Sequence, residues 1–400
     1  MINVAVLGYG TVGSGVVEVL STNHDSIAKR AGQEINVKYV LDLRDFPGDP
    51  VEEILVHDYN IILNDPEVDI VVEVMGGLKP AYQFTKDALM AGKSVATSNK
   101  ELVAAHGSEL LAIAKEKKVN YLFEASVGGG IPIIRPLNQS LTADEITEIT
   151  GILNGTTNYI LTKMTDEGLD FDTVLKKAQE KGYAERNPEA DVEGYDACRK
   201  IAILASLAYG KQVDYQDIYT EGITKITDTD IRYAKKLGAA IKLFGTCKCI
   251  DGTVYCMVAP FMIDEEHPLF NVNGVFNGIF VNGNMLGDTM FYGRGAGKLP
   301  TASAVVADVV DAAKHQGTNI MTIWEQDKLT LGSMDSFSCR FMVRVAGNDK
   351  ASIEAAFGTV TYVDAEVAGE TCFITEKLSQ KDFEDKAAGL DIINRIRMTF

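Results

Sequence analysis

The sequence predicts an α/β protein in which a doubly wound parallel sheet is followed by an α+β domain and a small C-terminal domain of βαββαβ order. Up to about residue 125, short and almost continuously apolar β-rich runs alternate with helical patterns. This alternation is typical of a parallel sheet with helices on both faces. From about residue 131 to 290, longer helical segments are mixed with strand-like runs, and the segment after residue 337 begins with alternating apolar and polar positions.

Strands of the first domain are expected at Ile2–Leu7, Val37–Leu41, Asp69–Val74, Ser94–Thr97 and Tyr121–Phe123. The patterns between them, among them Ser14–Leu20 and Ser108–Lys117, favour helices. Because such sheets bind ligands at the carboxyl ends of their strands, the residues that follow each strand are the first candidates for a site.

The second domain is expected to contain helices over Phe171–Lys181, Tyr195–Tyr209 and Ile231–Leu243, and strands over Ile146–Leu153 and Thr253–Pro260. A helix over Thr301–Ala313 is expected to pack back on the first domain. The C-terminal elements are expected near 337–345, 350–357, 360–367, 371–376, 381–388 and 392–398. The predicted domain limits are therefore 1–130 with a returning helix at about 300–320, 131–298, and 335–400.

The composition excludes several classes of protein. The 400 residues are 46% apolar and 24% charged, which are ordinary values for packed domains and exclude a largely disordered chain. A net charge of −18 argues against a nucleic-acid partner, because phosphate binding requires concentrated positive charge. No apolar run approaches the length of a membrane span and no basic leader precedes Ile2, so we expect a cytoplasmic protein. The six sparse cysteines predict buried thiols and no structural zinc.

A glycine motif lies where the first strand meets the first helix. Gly8, Gly10 and Gly13 have the GxGxxG spacing, with Thr11 and Val12 between the last two. In the Rossmann dinucleotide-binding fold, the first glycine permits a tight turn and the second lets the backbone approach the pyrophosphate. The third allows close helix packing. The strand before the motif and the helix after it favour NAD or NADP as the cofactor over a structural turn.

The end of the second strand bears on which dinucleotide is bound. Asp42 is an acid of the kind that binds the ribose 2′-hydroxyl of NAD, and Arg44 is a base of the kind that binds the 2′-phosphate of NADP. Arg44 slightly favours NADP, and NAD stays open at this point.

Two later strand ends place polar or flexible groups where a nicotinamide or a substrate is expected. Gly76 and Gly77 follow one strand, and Thr97 and Ser98 end the next. Lys100 comes shortly after them and is a candidate general acid or base, although a single lysine in such a place is more often an exposed loop residue.

The densest cluster of ionisable residues lies between residues 182 and 200. Glu185, Asp191 and Asp196 precede or begin a helix, and Lys200 follows Asp196 by one turn on the same helical face. The alternative is a surface ion pair of little energetic weight. Since the helix is otherwise almost uncharged as far as Tyr209, we expect Lys200 to be partly buried and paired with a carboxylate.

Together these residues indicate a dehydrogenase whose substrate carries an amino group and an alcohol or aldehyde. A nicotinamide exchanges the hydride, lysines exchange a proton with an oxygen, and carboxylates bind the ammonium group. The run Asn154–Asn158 adds donors that suit a substrate carboxylate, although such a run is more often a turn.

With these motifs, the chain resembles the homoserine dehydrogenase family along essentially its whole length. The resemblance is carried by Gly8–Val17, Glu73–Gly77, Thr97–Lys100, Phe123–Pro132, Gly151–Tyr159 and, most specifically, Gly182–Lys200. It implies reversible NAD(P)H-dependent reduction of L-aspartate 4-semialdehyde to L-homoserine. The alternatives are another NAD(P)-dependent dehydrogenase of an amino-dicarboxylate and a dinucleotide- and amino-acid-binding sensor without turnover.

The resemblance also implies roles for individual residues. The proton-handling lysines of the family correspond to Lys100 and Lys200. Its substrate-binding residues correspond to Glu185, Asp191, Asp196, Tyr183, Gly155 and Thr156. Its segment near the cofactor corresponds to one that ends at Gly297. Its monovalent cation, typically sodium, has matching positions at Glu124, Val127, Gly129 and Ile131.

The C-terminal βαββαβ segment resembles an ACT domain, a module that often senses threonine. The turn at residues 347–351 lacks the Pro-Gly pair common where such domains bind an amino acid, so we expect weak or absent inhibition by threonine. The resemblance further implies a homodimer or homotetramer, with the middle domain forming the dimer. His267 and Tyr292 receive no functional role.

Overall fold

The structure is a computed structural model that describes residues 1–347 and 349–400. It contains two units built from interleaved segments. Unit 1 comprises Met1–Glu145, Ala202–Tyr215 and Gly293–Leu329. Unit 2 comprises Ile146–Ile201, Gln216–Tyr292 and Thr330–Phe400. The three domain limits inferred from the sequence stay predictions, and Asn348, part of the turn used to judge threonine sensing, lies outside the described residues.

The elements follow one another in nearly the predicted order. The strands are β1 (Ile2–Leu7), β2 (Ile35–Leu41), β3 (Leu55–Val56), β4 (Ile70–Glu73), β5 (Ser94–Thr97), β6 (Tyr121–Leu122), β7 (Ile146–Ile152), β8 (Lys211–Gln212), β9 (Tyr219–Thr220), β10 (Ala240–Ile250), β11 (Thr253–Ile263), β12 (Phe276–Gly283), β13 (Gly287–Arg294), β14 (Glu325–Lys328), β15 (Ser338–Ala346), β16 (Thr361–Val363), β17 (Glu370–Ile374), β18 (Leu378–Ser379) and β19 (Ile392–Met398). The α-helices are α1 (Thr11–Thr22), α2 (His24–Ala31), α3 (Tyr59–Leu63), α4 (Ala81–Met90), α5 (Lys100–Lys117), α6 (Gly155–Glu167), α7 (Phe171–Glu180), α8 (Glu189–Val192), α9 (Tyr195–Tyr209), α10 (Asp228–Lys236), α11 (Lys298–Lys314), α12 (Lys350–Phe357) and α13 (Gln380–Ala387).

Unit 1 is built on a parallel sheet with the strand order β3-β2-β1-β4-β5-β6. This is the doubly wound order, in which the chain reverses direction across the sheet between β1 and β4. The predicted α/β class with a doubly wound parallel sheet is confirmed, and the likeness of the C-terminal segment to an ACT domain stays a prediction. The sequence misses β3, because two residues are too few to produce a periodic pattern.

Helix α11 completes the core of unit 1. A Cβ atom on Gly15 of α1 would lie 3.0 Å from the Ala302 side chain of α11, so the two helices approach closely. Trp324 lies in the same unit and is 5% exposed. Its ring packs over Gly107 of α5, where a Cβ atom would lie 2.9 Å from the indole, and its Nε1 donates to Gln212 Oε1 at 2.9 Å. Glycine at position 107 therefore lets the indole lie directly on the helix.

Unit 2 is built on a mixed sheet with the order β13-β12-β7-β10-β11-β19-β15-β17-β16, to which β9 and β18 add short pairings. The C-terminal strands continue this sheet, because β19 pairs in parallel with β11. Two buried arginines reinforce the junction. Arg344 donates to Asp230 and Glu370, at 2.8 and 2.7 Å, and Arg397 donates to Glu221 at 2.8 Å. Such pairs are costly to break, since removing one partner leaves a buried charge.

One predicted element of unit 2 is wrong. The sequence predicts a helix over Ile231–Leu243, but α10 ends at Lys236 and β10 begins at Ala240. Gly238 between them has a φ of 66°, the left-handed conformation that ends many helices. The apolar pattern runs across this glycine without a break and so hides the change.

His267 and Tyr292 have structural surroundings. The His267 ring lies 5.3 Å from the Phe244 ring, its Nδ1 accepts from Leu269 N, and burial lowers its pKa. Tyr292 stacks on Phe276 at 5.3 Å. In the part of the chain that the structure describes, no helix is long and apolar enough to cross a membrane.

Candidate active site

The glycine loop after β1 has the geometry of a dinucleotide-binding turn. Gly8 has a φ of 98°, which favours glycine, and a Cβ atom on Gly13 would lie 1.8 Å from the Gly8 carbonyl oxygen. A Cβ atom on Gly10 would meet nothing within 4 Å. Thr11 and Val12 begin α1, whose N-terminal amides favour an anion. The loop is therefore tight where the helix meets the strand and open where a pyrophosphate would approach.

Asp42 and Arg44 form a two-pronged ion pair after β2. Arg44 Nε donates to Asp42 Oδ1 and its Nη2 to Oδ2, both at 2.9 Å. Asp42 Oδ2 also accepts from Tyr9 N in the glycine loop at 2.8 Å. The hydrogen bond from Arg44 is the main reason why the pKa of Asp42 lies far below its ordinary value. The carboxylate is thus charged and engaged, while the Arg44 side chain is 61% exposed.

A cleft of about 540 Å³ runs along these loops and includes residues that the sequence analysis missed. It is lined by Gly8, Gly10, Asp42, Arg44 and Gly76, and also by His57, Tyr59, Lys79 and Phe84. His57 follows the unpredicted strand β3, and its Nδ1 lies 2.7 Å from the Asp42 carbonyl oxygen. Finding β3 would have placed His57 at this edge of the sheet.

Glu73 links the end of β4 to the end of β5. The residues that follow these two strands are the other cofactor-binding candidates of unit 1. It is the last residue of β4, is 0% exposed, and accepts from Met75 N and from the Thr97 hydroxyl. Burial raises the pKa of Glu73, and these hydrogen bonds act in the opposite direction. Gly76 and Gly77 follow with φ angles of 81° and 68°. The loop after β4 is therefore tied to the end of β5.

Lys100 is the first residue of α5 and is partly exposed. Asn99 caps this helix, with its Oδ1 accepting from Leu102 N and its Nδ2 donating to the Gly77 carbonyl at 2.6 Å. Ser98 is partly exposed between Asn99 and the buried Thr97. Gly297, at the start of α11, is exposed and has a φ of 125°.

Unit 2 brings Lys200, Asp191 and Asp196 together around the start of α6. Lys200 Nζ donates to Asp196 Oδ2 and to the Leu153 carbonyl, both at 2.8 Å. Asn154, the cap of α6, donates from Nδ2 to Asp196 at 2.9 Å and to Asp191 at 2.7 Å. The predicted burial of Lys200 is confirmed, since only 8% of the residue is exposed. The bridging amide of Asn154 is the part that the sequence analysis missed.

The other predicted substrate residues lie on the same unit with different exposures. The Thr156 hydroxyl donates to the Tyr183 carbonyl at 2.7 Å, and the Tyr183 side chain is among the exposed large apolar groups. Gly155 begins α6, where a Cβ atom would lie 2.9 Å from the Val275 carbonyl oxygen. Glu185 is exposed on the loop after α7, and its carboxylate makes no hydrogen bond within residues 1–347 and 349–400. The structure thus joins Asp191, Asp196 and Lys200, but not Glu185.

The four predicted cation positions lie on one buried turn of unit 1. Both carboxylate oxygens of Glu124 accept backbone N–H groups, from residues 133, 134 and 135, at 2.6 to 2.8 Å. Val127 and Ile131 are each 1% exposed. Gly129 has a φ of 56°, and a Cβ atom there would lie 2.3 Å from the Gly295 carbonyl oxygen. Only main-chain oxygens of these four residues remain suited to a cation. The described residues contain no group of three His, Cys, Asp or Glu placed to hold a metal ion.

Comparisons with known proteins agree along the whole chain. The family model "Homoserine dehydrogenase" matches residues 132–310, and "Homoserine dehydrogenase, NAD binding domain" matches residues 8–124. A homoserine dehydrogenase of Bacillus subtilis is 38% identical, over 100% of this chain and 98% of the relative. A crystal structure of a homoserine dehydrogenase from Thiobacillus denitrificans has a TM-score of 0.90 at 37% identity, covering 99% and 98% of the two chains. A hyperthermophilic archaeal homoserine dehydrogenase mutant in complex with NADPH has a TM-score of 0.66 at 28% identity, covering 78% and 97%.

Two alanine substitutions should separate folding from cofactor binding in the glycine loop. Gly13→Ala should lower the melting temperature by about 10 °C or more, because its Cβ would collide with the Gly8 carbonyl. Gly10→Ala should leave the melting temperature within about 2 °C but weaken NADPH binding at least about tenfold, because the methyl group occupies open space beside the loop. Thermal unfolding and titration of NADPH fluorescence measure both effects. Wild-type NADPH affinity in Gly10→Ala would contradict this use of the loop.

Proposed function

The chain belongs to the homoserine dehydrogenase family, and we propose that Lys100 and Lys200 handle the proton of its reaction. It is an NAD(P)-dependent oxidoreductase that reversibly reduces L-aspartate 4-semialdehyde to L-homoserine, a step of threonine and methionine biosynthesis. Another dehydrogenase or a sensor without turnover is not favoured, because homoserine dehydrogenase family models match residues 8–124 and 132–310, and relatives of that name match nearly the whole chain.

The observation that carries the residue assignment is the network of Lys200, Asp196, Asn154 and Asp191 at the start of α6. The Asp191 and Asp196 carboxylates attract the substrate ammonium, and the first turn of α6 suits its carboxylate. Glu185, Tyr183, Gly155 and Thr156 complete the proposed substrate site from the surrounding loop and helix. Asn154 holds both acids from one amide and so fixes their separation.

The two lysines, Lys100 and Lys200, are assigned to transfer the proton. When bound in the cleft, NADPH or NADH would supply a hydride to the aldehyde carbon of the substrate. A lysine ammonium gives its proton to the aldehyde oxygen, which becomes the hydroxyl of homoserine. The Asp196 carboxylate stabilises the ammonium form of Lys200 through their 2.8 Å contact. The oxidative direction releases this proton, so a higher pH should favour homoserine oxidation.

Replacing either lysine should remove most turnover while cofactor binding persists. Lys100→Ala and Lys200→Gln should each lower kcat for homoserine oxidation about 100-fold or more, with the NADPH dissociation constant changed less than about threefold. Glutamine at 200 retains a donor toward Asp196, which avoids an unpaired buried carboxylate. The matched control is Lys177→Ala. This partly exposed lysine of α7 pairs with Glu167, and its loss should leave kcat within about twofold. A near-wild-type rate in either active-site variant rejects that lysine.

We propose NADP as the preferred dinucleotide, with its 2′-phosphate bound by the guanidinium group of Arg44. Arg44 occupies both oxygens of Asp42 and is exposed at the cleft, where a 2′-phosphate would accept from its guanidinium. NADPH is also the ligand named for the archaeal relative. The remaining cofactor contacts are assigned to Gly8, Gly10, Thr11, Val12, Gly13, Gly76, Gly77, Thr97, Ser98 and Gly297.

Arg44→Ser should reverse this preference. The kcat/KM for NADP should fall about 10- to 100-fold, the range expected for one hydrogen bond to a charged group, while the value for NAD stays level or rises because Asp42 is released. Arg30→Ser, which removes an exposed arginine of α2, serves as the control and should change neither value. Initial rates with both dinucleotides at one pH measure the ratio. An equal fall for both would assign Arg44 a structural role.

We propose that main-chain oxygens of Glu124, Val127, Gly129 and Ile131 hold a sodium ion. Three of these side chains carry no ligand atom, and the Glu124 carboxylate is already engaged with residues 133–135. Carbonyl oxygens are hard ligands that suit such a cation.

Sodium should therefore stabilise the fold. The melting temperature in sodium chloride should exceed that in choline chloride of equal ionic strength by about 2 °C or more, because an ion that binds only the folded state stabilises it. A magnesium-free and calcium-free buffer in both samples is the control. Equal melting temperatures would rule out this ion.

We further propose a homodimer or homotetramer. Strand β13 lies at the edge of the unit 2 sheet and exposes Met290 and Tyr292, and the adjoining turn exposes 81% of Met285. An open strand edge with apolar side chains favours a protein partner. A mass of 43.4 kDa in sedimentation, that of one chain, would contradict this. A cytoplasmic location stays a prediction.

A further inference from the structure

The Glu73 carboxylate is not among the groups assigned above to cofactor or substrate. It is 0% exposed at the carboxyl end of β4, between β1 and β5 in the middle of the unit 1 sheet. Burial of a carboxylate is strongly unfavourable unless hydrogen-bond donors surround it. An apolar residue would fill the end of β4 without that cost. The hydrogen bonds that Glu73 accepts must therefore account for a carboxylate at this position.

Glu73 holds the two loops that follow β4 and β5. Its Oε1 accepts from Met75 N at 2.9 Å, and its Oε2 accepts from the Thr97 hydroxyl at 2.7 Å. The same Thr97 oxygen accepts from Asn99 N at 2.9 Å. Asn99 then donates to the Gly77 carbonyl at 2.6 Å, which closes a ring of contacts from one loop to the other.

The backbone of Lys100 is held next to this ring of contacts by Asn99. Asn99 caps α5 through Leu102 N, and Lys100 is the next residue, so its backbone position depends on the orientation of Asn99. Asn99 is 6% exposed and Thr97 is 0% exposed, which leaves these side chains little freedom to rearrange. One hydrogen-bond network thus sets the orientation of the loop of Gly76 and Gly77 and of the start of α5.

We propose that Glu73 is a positioning residue that fixes the loop of Gly76 and Gly77 and the backbone of Lys100 in the arrangement needed for hydride and proton transfer. The inference rests on the role proposed above for Lys100. Glu73 acts through Thr97 and Asn99 and does not itself exchange a proton with the substrate.

A carboxylate can accept from both Met75 N and the Thr97 hydroxyl, and hydrogen bonds from the Asn99 side chain and Gly76 N also act on it. Met75 N and the Thr97 hydroxyl each donate, so both side-chain oxygens must accept. Glutamine offers one oxygen and one NH₂ group. If its NH₂ group faces Met75 N, two donors meet. If it faces Thr97, the threonine hydroxyl proton loses its acceptor, while the threonine oxygen must still accept from Asn99 N. Glu73→Gln therefore breaks the network in either orientation without changing side-chain volume.

The test compares variants by kcat per cofactor-binding site, counted by NADPH titration, so that loss of folded protein does not enter. Glu73→Gln should lower kcat for homoserine oxidation about 10- to 100-fold while KM for homoserine changes less than about threefold, because the substrate acids lie elsewhere. Thr97→Val, which removes only the hydroxyl, should give a similar loss. Thr97→Ser should recover at least about tenfold over Thr97→Val. The double variant Glu73→Gln with Thr97→Val should be no slower than the slower single variant.

A buried threonine of the same unit supplies the control. Thr85 is 0% exposed, and its hydroxyl has no hydrogen-bond partner in the described part of the chain, so Thr85→Val should leave kcat within about twofold. An isotope effect with homoserine deuterated at C4 adds an independent measure. It should rise in Glu73→Gln, because misplaced reactants make the chemical step limiting, whereas simple loss of stability leaves it unchanged.

The outcomes are distinct. Wild-type kcat per site in Glu73→Gln, equal losses in Thr97→Val and Thr97→Ser, or additive losses in the double variant would each overturn the proposal. If Glu73→Gln does not fold, the Thr97 pair decides. Lys100→Ala separates this inference from its premise: if that variant is inactive and Glu73→Gln is normal, only the Glu73 role fails. If Lys100→Ala is active, the proposed proton transfer fails and the Glu73 role with it.

Discussion

A carboxylate withdrawn from water must be met by hydrogen-bond donors, and this constraint shapes the functional segments of the molecule. Glu73, Glu124 and Asp196 are 0%, 2% and 3% exposed. Each collects more than one donor: backbone and hydroxyl groups at Glu73, three consecutive amides at Glu124, and an ammonium and an amide at Asp196. Since an unmatched buried charge is costly, each set of donors has essentially one arrangement. Rigid loops at the strand ends are the result.

The sequence predicts most of the fold because the informative patterns are local. The GxGxxG motif and the pair of Asp196 and Lys200 each span no more than six residues. The structure has both features as expected. The failures are equally physical. Strand β3 is too short for a pattern, and Gly238 ends a helix inside an unbroken apolar run.

Parts of the candidate site depend on contacts that no local pattern encodes. Glu73 meets Thr97 across 24 residues and Asn154 meets Asp196 across 42, so neither link is visible in a motif. A charged residue within the apolar run of a central parallel strand was the available sign for Glu73. The same holds for the C-terminal segment, whose Arg344 pairs with Asp230 more than a hundred residues away. Its element order follows from periodicity, but its attachment to the unit 2 sheet does not.

The lone tryptophan gives the molecule a built-in optical probe. Trp324 belongs to unit 1, is shielded from water, and donates to Gln212 while lying on α5. Shielding of this kind shifts indole emission to shorter wavelengths, and exposure on unfolding reverses the shift. Tryptophan emission, excited selectively, therefore reports on unit 1 alone, while circular dichroism reports on both units. A difference between the two unfolding curves would measure how far the units unfold independently, without any label.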